Sequence, residues 1–192
     1  MLNLIMQLGV FPLPIFLLPG GVTRLRIFEP RYIRLVKEAI TGQGFALSTY
    51  NKDHPFNSSA HAAWVEIIDF STLDDGLLSI DVKAKNLVAL SDFTVEKDQL
   101  KKALANQIDH WPAKAHCDKS KALASELQSI FNANPDFSAL YQKLEYDNPN
   151  WVCARFIEVL PLSIQKKYEF IQPNSYGLCL DFLHTLIIGE NR

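Results

Sequence analysis

The sequence predicts an α+β protein, a β-rich first part with one embedded helix followed by a helical bundle, and three observations carry that reading. Short apolar segments separated by turn residues fill positions 8–111. A single stretch after Pro30 breaks that pattern with helical spacing. Beyond Trp111-Pro112 the apolar residues recur at helical spacing between explicit breaks. Strands first and helices afterwards define the α+β class. The expected division is 1–112 for the β-rich domain and 118–192 for the helical one.

In order along the chain, Leu8 to Phe16 and Arg24 to Ile27 read as extended segments around the turn Pro19-Gly20-Gly21. The stretch Met1 to Leu18 is very apolar, but no basic residue precedes it and Pro12, Pro14 and Pro19 interrupt it. It is therefore read as strand structure, neither an export signal nor a membrane span. Pro30 suits the first position of a helix, where an amide hydrogen has no intrahelical partner. Tyr32, Ile33, Val36, Ala39 and Ile40 then define its buried face, Arg31, Arg34 and Glu38 its exposed face, and Gly42 its stop.

Phe45 to Tyr50, Trp64 to Phe70, Leu77 to Val82, Val88 to Val95 and Lys102 to Trp111 read as further strands. Asp74-Asp75-Gly76 supplies the positive-φ turn of a hairpin. The segments Lys119 to Asn132, Phe137 to Tyr146, Trp151 to Val159, Leu162 to Ile171 and Tyr176 to Ile188 read as helices. Asn134-Pro135, Asn148-Pro149, Pro161 and Pro173 separate them, with Ser175 expected as the last N-cap and Gly189 as its C′ residue.

Composition narrows the function. The 192 residues are 48% hydrophobic and 21% charged, enough apolar material for one or two cores. Nineteen basic against 21 acidic residues give a net charge of −2, so no global field draws in nucleic acid or an anionic membrane. Cys117, Cys153 and Cys179 are widely spaced and form no CxxC, which reads as reduced, mostly buried thiols of a cytoplasmic protein.

Several strings resemble one family. Phe11-Pro12-Leu13-Pro14-Ile15-Phe16-Leu17-Leu18-Pro19-Gly20-Gly21 is similar to the opening of Lon N-terminal domains. Arg26-Ile27-Phe28-Glu29-Pro30-Arg31-Tyr32 resembles that family's "lrIFEpRY", the most specific of the matches. Ile67-Ile68-Asp69-Phe70 with Leu73-Asp74-Asp75-Gly76-Leu77-Leu78-Ser79-Ile80 resembles its hairpin, and Arg155 to Leu162 the helix break of stand-alone members. Two departures stand out: Ala62 replaces a glycine, and Ala84-Lys85-Asn86-Leu87 lacks the usual glycine and arginine. The resemblance implies a PUA-like pseudo-barrel with a helical C-terminal part. It also implies a polypeptide-recognition module rather than a protease, since neither the phosphate-binding GxxxxGK[ST] loop nor the peptidase motif occurs.

Local chemistry is sparse. His110, His116, Cys117, Asp109 and Asp118 lie close in sequence, but not at a recurrent metal-ligand spacing, so no metal and no cofactor are expected. No GxSxG elbow occurs and no catalytic residue is expected. The binding candidates are Arg24, Arg26, Arg31 and Arg34 with Glu29, a basic cluster able to grip acidic or C-terminal groups. Against this stands the bland alternative that Glu29 and Arg31 brace a loop and that Arg34 and Glu38 form a solvated pair. Phe56 and Trp111 are candidate aromatic anchors, with core packing the competing reading, stronger for Trp111. The expected partners are unfolded or degron-bearing polypeptides and a protease. Other readings are an RNA-binding PUA-like protein, a small-molecule sensor or enzyme with a barrel-mouth site, and an oligomeric structural role.

Overall fold

The computed structural model describes residues 5–189; the first four residues of the apolar N-terminal stretch lie outside them. The chain divides into two compact units after Ile108. This places His110, Trp111 and Pro112 in the helical unit, slightly earlier than the sequence signals place the boundary.

The first unit contains β1 (Ile5–Leu13), β2 (Val22–Ile27), α1 (Pro30–Thr41), β3 (Phe45–Tyr50), β4 (Ser58–Thr72), β5 (Leu78–Val95) and β6 (Lys101–Ile108). The strand order is β2-β5-β4-β3-β1-β6, and β5 also pairs with β6. Strands β5, β4, β3, β1 and β6 therefore close into a ring, with β2 added outside it. Only β1 and β3 run parallel, from Val10 opposite Ala46 to Leu13 opposite Thr49; the other pairs are antiparallel.

Strand β5 makes closure possible. Its first part, Leu78 to Lys83, pairs with β2, and its second, Leu87 to Val95, pairs with β6. The sequence reads as two strands here, yet one 18-residue strand forms. At its middle the register with β4 slips, from Trp64 opposite Asn86 to Val65 opposite Ala84, which leaves Lys85 as the extra residue of a bulge. The missing family glycine has thus not cost the bulge. The turn at Gly20-Gly21 closes against it, with two backbone hydrogen bonds of 2.8 Å to Ala84.

Alternation along the ring strands sorts their side chains onto two faces. Met6, Leu8 and Val10 of β1, Ala46, Ala62, Trp64, Val88, Leu90, Ala103 and Ala105 share one cluster drawn from all five ring strands. Four of these ten are alanines, which suits an interior narrower than that of larger barrels. The opposite face, with Phe11, Leu25, Phe45, Leu47, Val65, Ile80 and Val82, packs under α1. Helix α1 buries Tyr32, Leu35, Val36 and Ala39. Leu35, absent from the face read in the sequence, seats over Gly9, where an added Cβ would lie 2.2 Å from its Cδ1. Ile33 and Ile40, read as buried, are exposed. Both sit on the margin of the stripe, about a quarter turn from its centre.

The second unit contains α2 (Asp118–Ala133), α3 (Pro135–Ser138), α4 (Pro149–Val159), α5 (Ile164–Glu169), α6 (Tyr176–Leu183) and a π-helical turn, His184–Ile188. Helix α4 starts at Asn148, whose side chain accepts from the Asn150 and Trp151 amides, and Trp151 through Ile157 are all buried. The expected helix from Phe137 to Tyr146 is only the short α3. Phe137 and Tyr141 meet Phe131, and Tyr141 and Tyr146 both meet Trp151. In one straight helix Tyr146, nine residues after Phe137, would face the opposite side. Bringing all three rings to one cluster requires the helix to stop.

Ser175 precedes α6 but does not cap it with its side chain. Its hydroxyl accepts from the Trp111 indole at 2.9 Å and donates to the Gln172 carbonyl at 2.7 Å. Gly189 follows with φ −68°, so no left-handed cap forms there.

His110 stacks on Trp111 in this unit. Burial lowers its pKa to about 4, with Arg155 adding to the shift and a hydrogen bond to the Phe170 backbone opposing it. The folded imidazole is therefore neutral, while the unfolded one titrates near its ordinary value of about 6.5. Between those values the unfolded chain binds the extra proton, so stability falls as pH drops from about 6.5 to about 4. His110→Gln is expected to flatten that part of a urea-midpoint-against-pH curve. An unchanged slope would assign the loss to other groups.

Candidate functional site

The arginine cluster is spent internally. Arg24 forms two 2.7 Å hydrogen bonds to the Asp81 carboxylate, one strand away, and this pairing raises its pKa. Arg26 pairs with Asp75 in the β4–β5 turn. Arg31 meets Glu29 at 2.6 Å and lies over the Tyr32 ring. Arg34 pairs with Glu96, with Asp98 at 3.2 Å and with Glu38 at 3.3 Å, and Lys102 bridges Glu38 and Glu96 at 3.1 and 3.3 Å. Hydrogen bonding to Arg34 also holds the Glu96 carboxyl below its ordinary pKa. One margin of α1 is thus a compensated network that ties the helix to the β5–β6 turn.

The two aromatic candidates separate. Trp111 is buried within the helical unit, with its indole hydrogen bond used by Ser175 and its ring edge-on to Tyr176; the packing reading applies to it, not surface anchoring. Phe56 is 39% exposed and stacks on Phe93 at 5.0 Å. It adopts φ 66°, and Lys101 donates to its carbonyl. Among the described residues no group of three His, Cys, Asp or Glu side chains gathers to hold a metal ion. His116 instead meets the Asp147 carbonyl at 2.7 Å.

The other margin of α1 is different. There a groove of about 360 Å³ runs between the helix end and the outer part of β4. Ala39, Ile40, Ile67, Ile68 and Phe70 supply apolar walls, and Glu66, Asp69 and Lys85 a charged rim. Ile40 is 58% exposed and Phe70 67%. The groove follows from where β3 begins. Phe45 is opposite Val65, and the chain before it turns away through Gly44 at φ +82°. A Cβ on Gly44 would meet the Val65 carbonyl oxygen at 2.0 Å, a close approach that only glycine permits. Past Val65, β4 continues for seven residues paired with β5 alone, and the space β3 would have filled is the groove.

Sequence reasoning placed none of these groove residues in a site. Ile40 is read there as core, and Phe70 as an ordinary strand residue. The one available signal was an excess of apolar residues on α1 for the face a single packing surface can cover.

The geometry defines an α+β domain whose sheet closes under one helix, with an open groove of apolar walls and charged rim beside it. The comparisons give the family: residues 7–175 match the ATP-dependent protease La (LON) substrate-binding domain, and the chain belongs to that family. Its structure is similar to that of a Lon N-terminal domain protein from Xanthomonas campestris, with a TM-score of 0.71 at 24% identity over 93% of this chain and 96% of that one. It is also similar to the N-terminal domain of a Mycobacterium avium complex Lon protease, with a TM-score of 0.61 at 14% identity and the same coverage. A search of curated proteins gave no match. No described helix is long and apolar enough to cross a membrane.

Proposed function

We propose that this chain is a cytoplasmic, non-catalytic module that captures unfolded or degron-bearing polypeptide segments, and that its groove between α1 and outer β4 is the contact surface. Delivery to ATP-dependent proteolysis, as an adaptor, is the role this reading favours. The observation that carries it is the exposure of Ile40 and Phe70 in a groove whose apolar residues are rimmed by charge, in a chain of the substrate-binding family. Exposed apolar anchors rimmed by charge are what polypeptide recognition uses. The pairing of Arg24, Arg26, Arg31 and Arg34 with carboxylates argues against an acidic-tail or RNA grip on that face.

Fluorescence anisotropy with a labelled, permanently unfolded polypeptide tests the proposal. Ile40→Ser and Phe70→Ser are each expected to raise Kd about tenfold, the effect of losing a modest hot spot. Their unfolding midpoints should hold within about 0.5 kcal/mol, since both side chains are exposed. Arg31→Ala and Arg34→Ala are expected to bind as the parent does. Unchanged affinity in both groove variants would sink the assignment, as would weakening by the arginine variants alone. Steeply salt-dependent binding of a labelled single-stranded RNA would turn the function toward nucleic acid.

A further inference from the structure

We infer that the outer edge of β4, Glu66 to Thr72, receives an extended polypeptide segment as an added β-strand, and that the segment it fits alternates apolar with basic residues. The inference rests on the groove reading above and specifies how the groove is filled.

Beyond Val65 the β3 side of β4 has no strand partner among the described residues. Hydrogen bonding alternates along an antiparallel pair. The Leu73 amide donates to the Leu77 carbonyl at 2.9 Å across the turn, so Ser71 and Asp69 continue that set toward β5. Phe70 and Thr72 then turn their amide and carbonyl groups to the open side. The Phe70 amide confirms this direction, since it donates 2.8 Å to its neighbour Asp69's own carboxylate. That local bond covers the edge while it is empty. An incoming peptide carbonyl takes the Phe70 amide and frees the carboxylate for a cation.

Side-chain placement defines the segment's pattern. Ile67 lies opposite Val82 and Phe70 opposite Ile80, on the face that packs under α1. Glu66 lies opposite Lys83 and Asp69 opposite Asp81, on the other face. The register shift at Ile68 keeps both pairs in phase, three residues apart. An added strand therefore meets apolar side chains on one face and two carboxylates on the other. Among the described residues Lys85 is the one basic side chain that lines the groove with Glu66 and Asp69, which leaves the rim net acidic, and Lys83 and Arg24 stand one and two strands further in. A second copy of the chain is a poorer fit, because antiparallel pairing of this edge with itself sets acidic residues near one another, which destabilises cross-strand pairs.

The test titrates the intact protein into a fluorescein-labelled heptapeptide of alternating lysine and valine, with a glutamate–valine heptapeptide as its counterpart. Two further lysine–valine peptides carry N-methyl groups on alternate amides, one set for each edge of the strand. Strand addition predicts at least tenfold weaker binding for one methylated set and near-parent binding for the other, because only one edge faces β4. It also predicts preference for lysine over glutamate, reduced several-fold by Asp69→Asn, which keeps an oxygen to accept from the Phe70 amide. Equal behaviour of the two methylated sets, whether both bind or both fail, overturns strand addition. If Phe70→Ser still weakens binding in that case, the groove proposal stands without it. Failure of the parent lysine–valine peptide to bind overturns strand addition by this class of segment, and the unfolded-polypeptide titration then decides the groove on its own. Concentration-dependent dimerisation in sedimentation, abolished by Phe70→Ser, would assign the edge to a second copy instead.

Discussion

Replacing Arg155 with alanine is expected to cost about 3 kcal/mol, among the larger single-residue losses in the helical unit. The Arg155 side chain is fully buried on α4 and forms two 2.7 Å hydrogen bonds to Glu158, whose side chain is 6% exposed. Its guanidinium also lies 5.2 Å from the centre of the Trp151 ring. Burying two charges is costly, and the pair is tolerated because each neutralises the other with bidentate geometry. Truncating one partner leaves a carboxylate out of water with its best donor gone, and adds a cavity beside Trp151. Lys167, whose ammonium donates 2.9 Å to the Glu158 backbone carbonyl, is near enough to soften the loss. That places the expectation at the low end of the range for broken buried pairs. Urea unfolding followed by far-UV circular dichroism measures it. The double variant Arg155→Met, Glu158→Leu should recover most of the loss, because an apolar pair of similar volume carries no unpaired charge. A loss under about 1 kcal/mol in Arg155→Ala would mean that water reaches Glu158.

What was legible in the sequence is what depends on neighbours in sequence. Helix α1 was legible from Pro30 and from Tyr32, Val36 and Ala39, and the hairpin turn from Asp74-Asp75-Gly76, where Gly76 does adopt φ +81°. The break at Asn148-Pro149 was legible because an Asn side chain before a proline is a local capping device. The arginines show the limit. Their residue type and clustering could be read, but their partners lie far along the chain: Asp81 is 57 positions from Arg24, Asp75 is 49 from Arg26, and Glu96 is 62 from Arg34. Whether an arginine is free to bind depends on register, and register is set by the whole ring.

The same reason hid the groove. Ile33 and Ile40 have the spacing of core residues, and only the placement of β4 and β5 beneath α1 decides which side of the helix is covered. Tyr146 failed for a related reason: the Trp151 cluster overrides a helical pattern that local sequence supports.

Gly44→Ala is expected to destabilise the first unit by about 3 kcal/mol and to weaken polypeptide binding with it. Two costs combine. An L-residue at φ +82° meets the steric penalty of the left-handed region, about 1–2 kcal/mol. A Cβ there would also lie 2.0 Å from the Val65 carbonyl oxygen and 3.1 Å from its carbon, both backbone atoms that no rotamer change can move. Strand β3 must then shift against β4 at the point where their pairing ends, next to the edge that forms the groove. Gly76→Ala separates the two costs. Gly76 has nearly the same φ, +81°, but nothing within 4 Å of its would-be Cβ, so it should lose only about 1 kcal/mol. Urea midpoints of the two variants, read beside anisotropy with the unfolded polypeptide at native conditions, give the difference. A larger loss in Gly44→Ala with weaker binding ties the groove's shape to this close approach. Equal losses in the two variants would show that β3 yields freely at Phe45, and weakened binding without extra instability would locate Gly44's role in the contact surface itself.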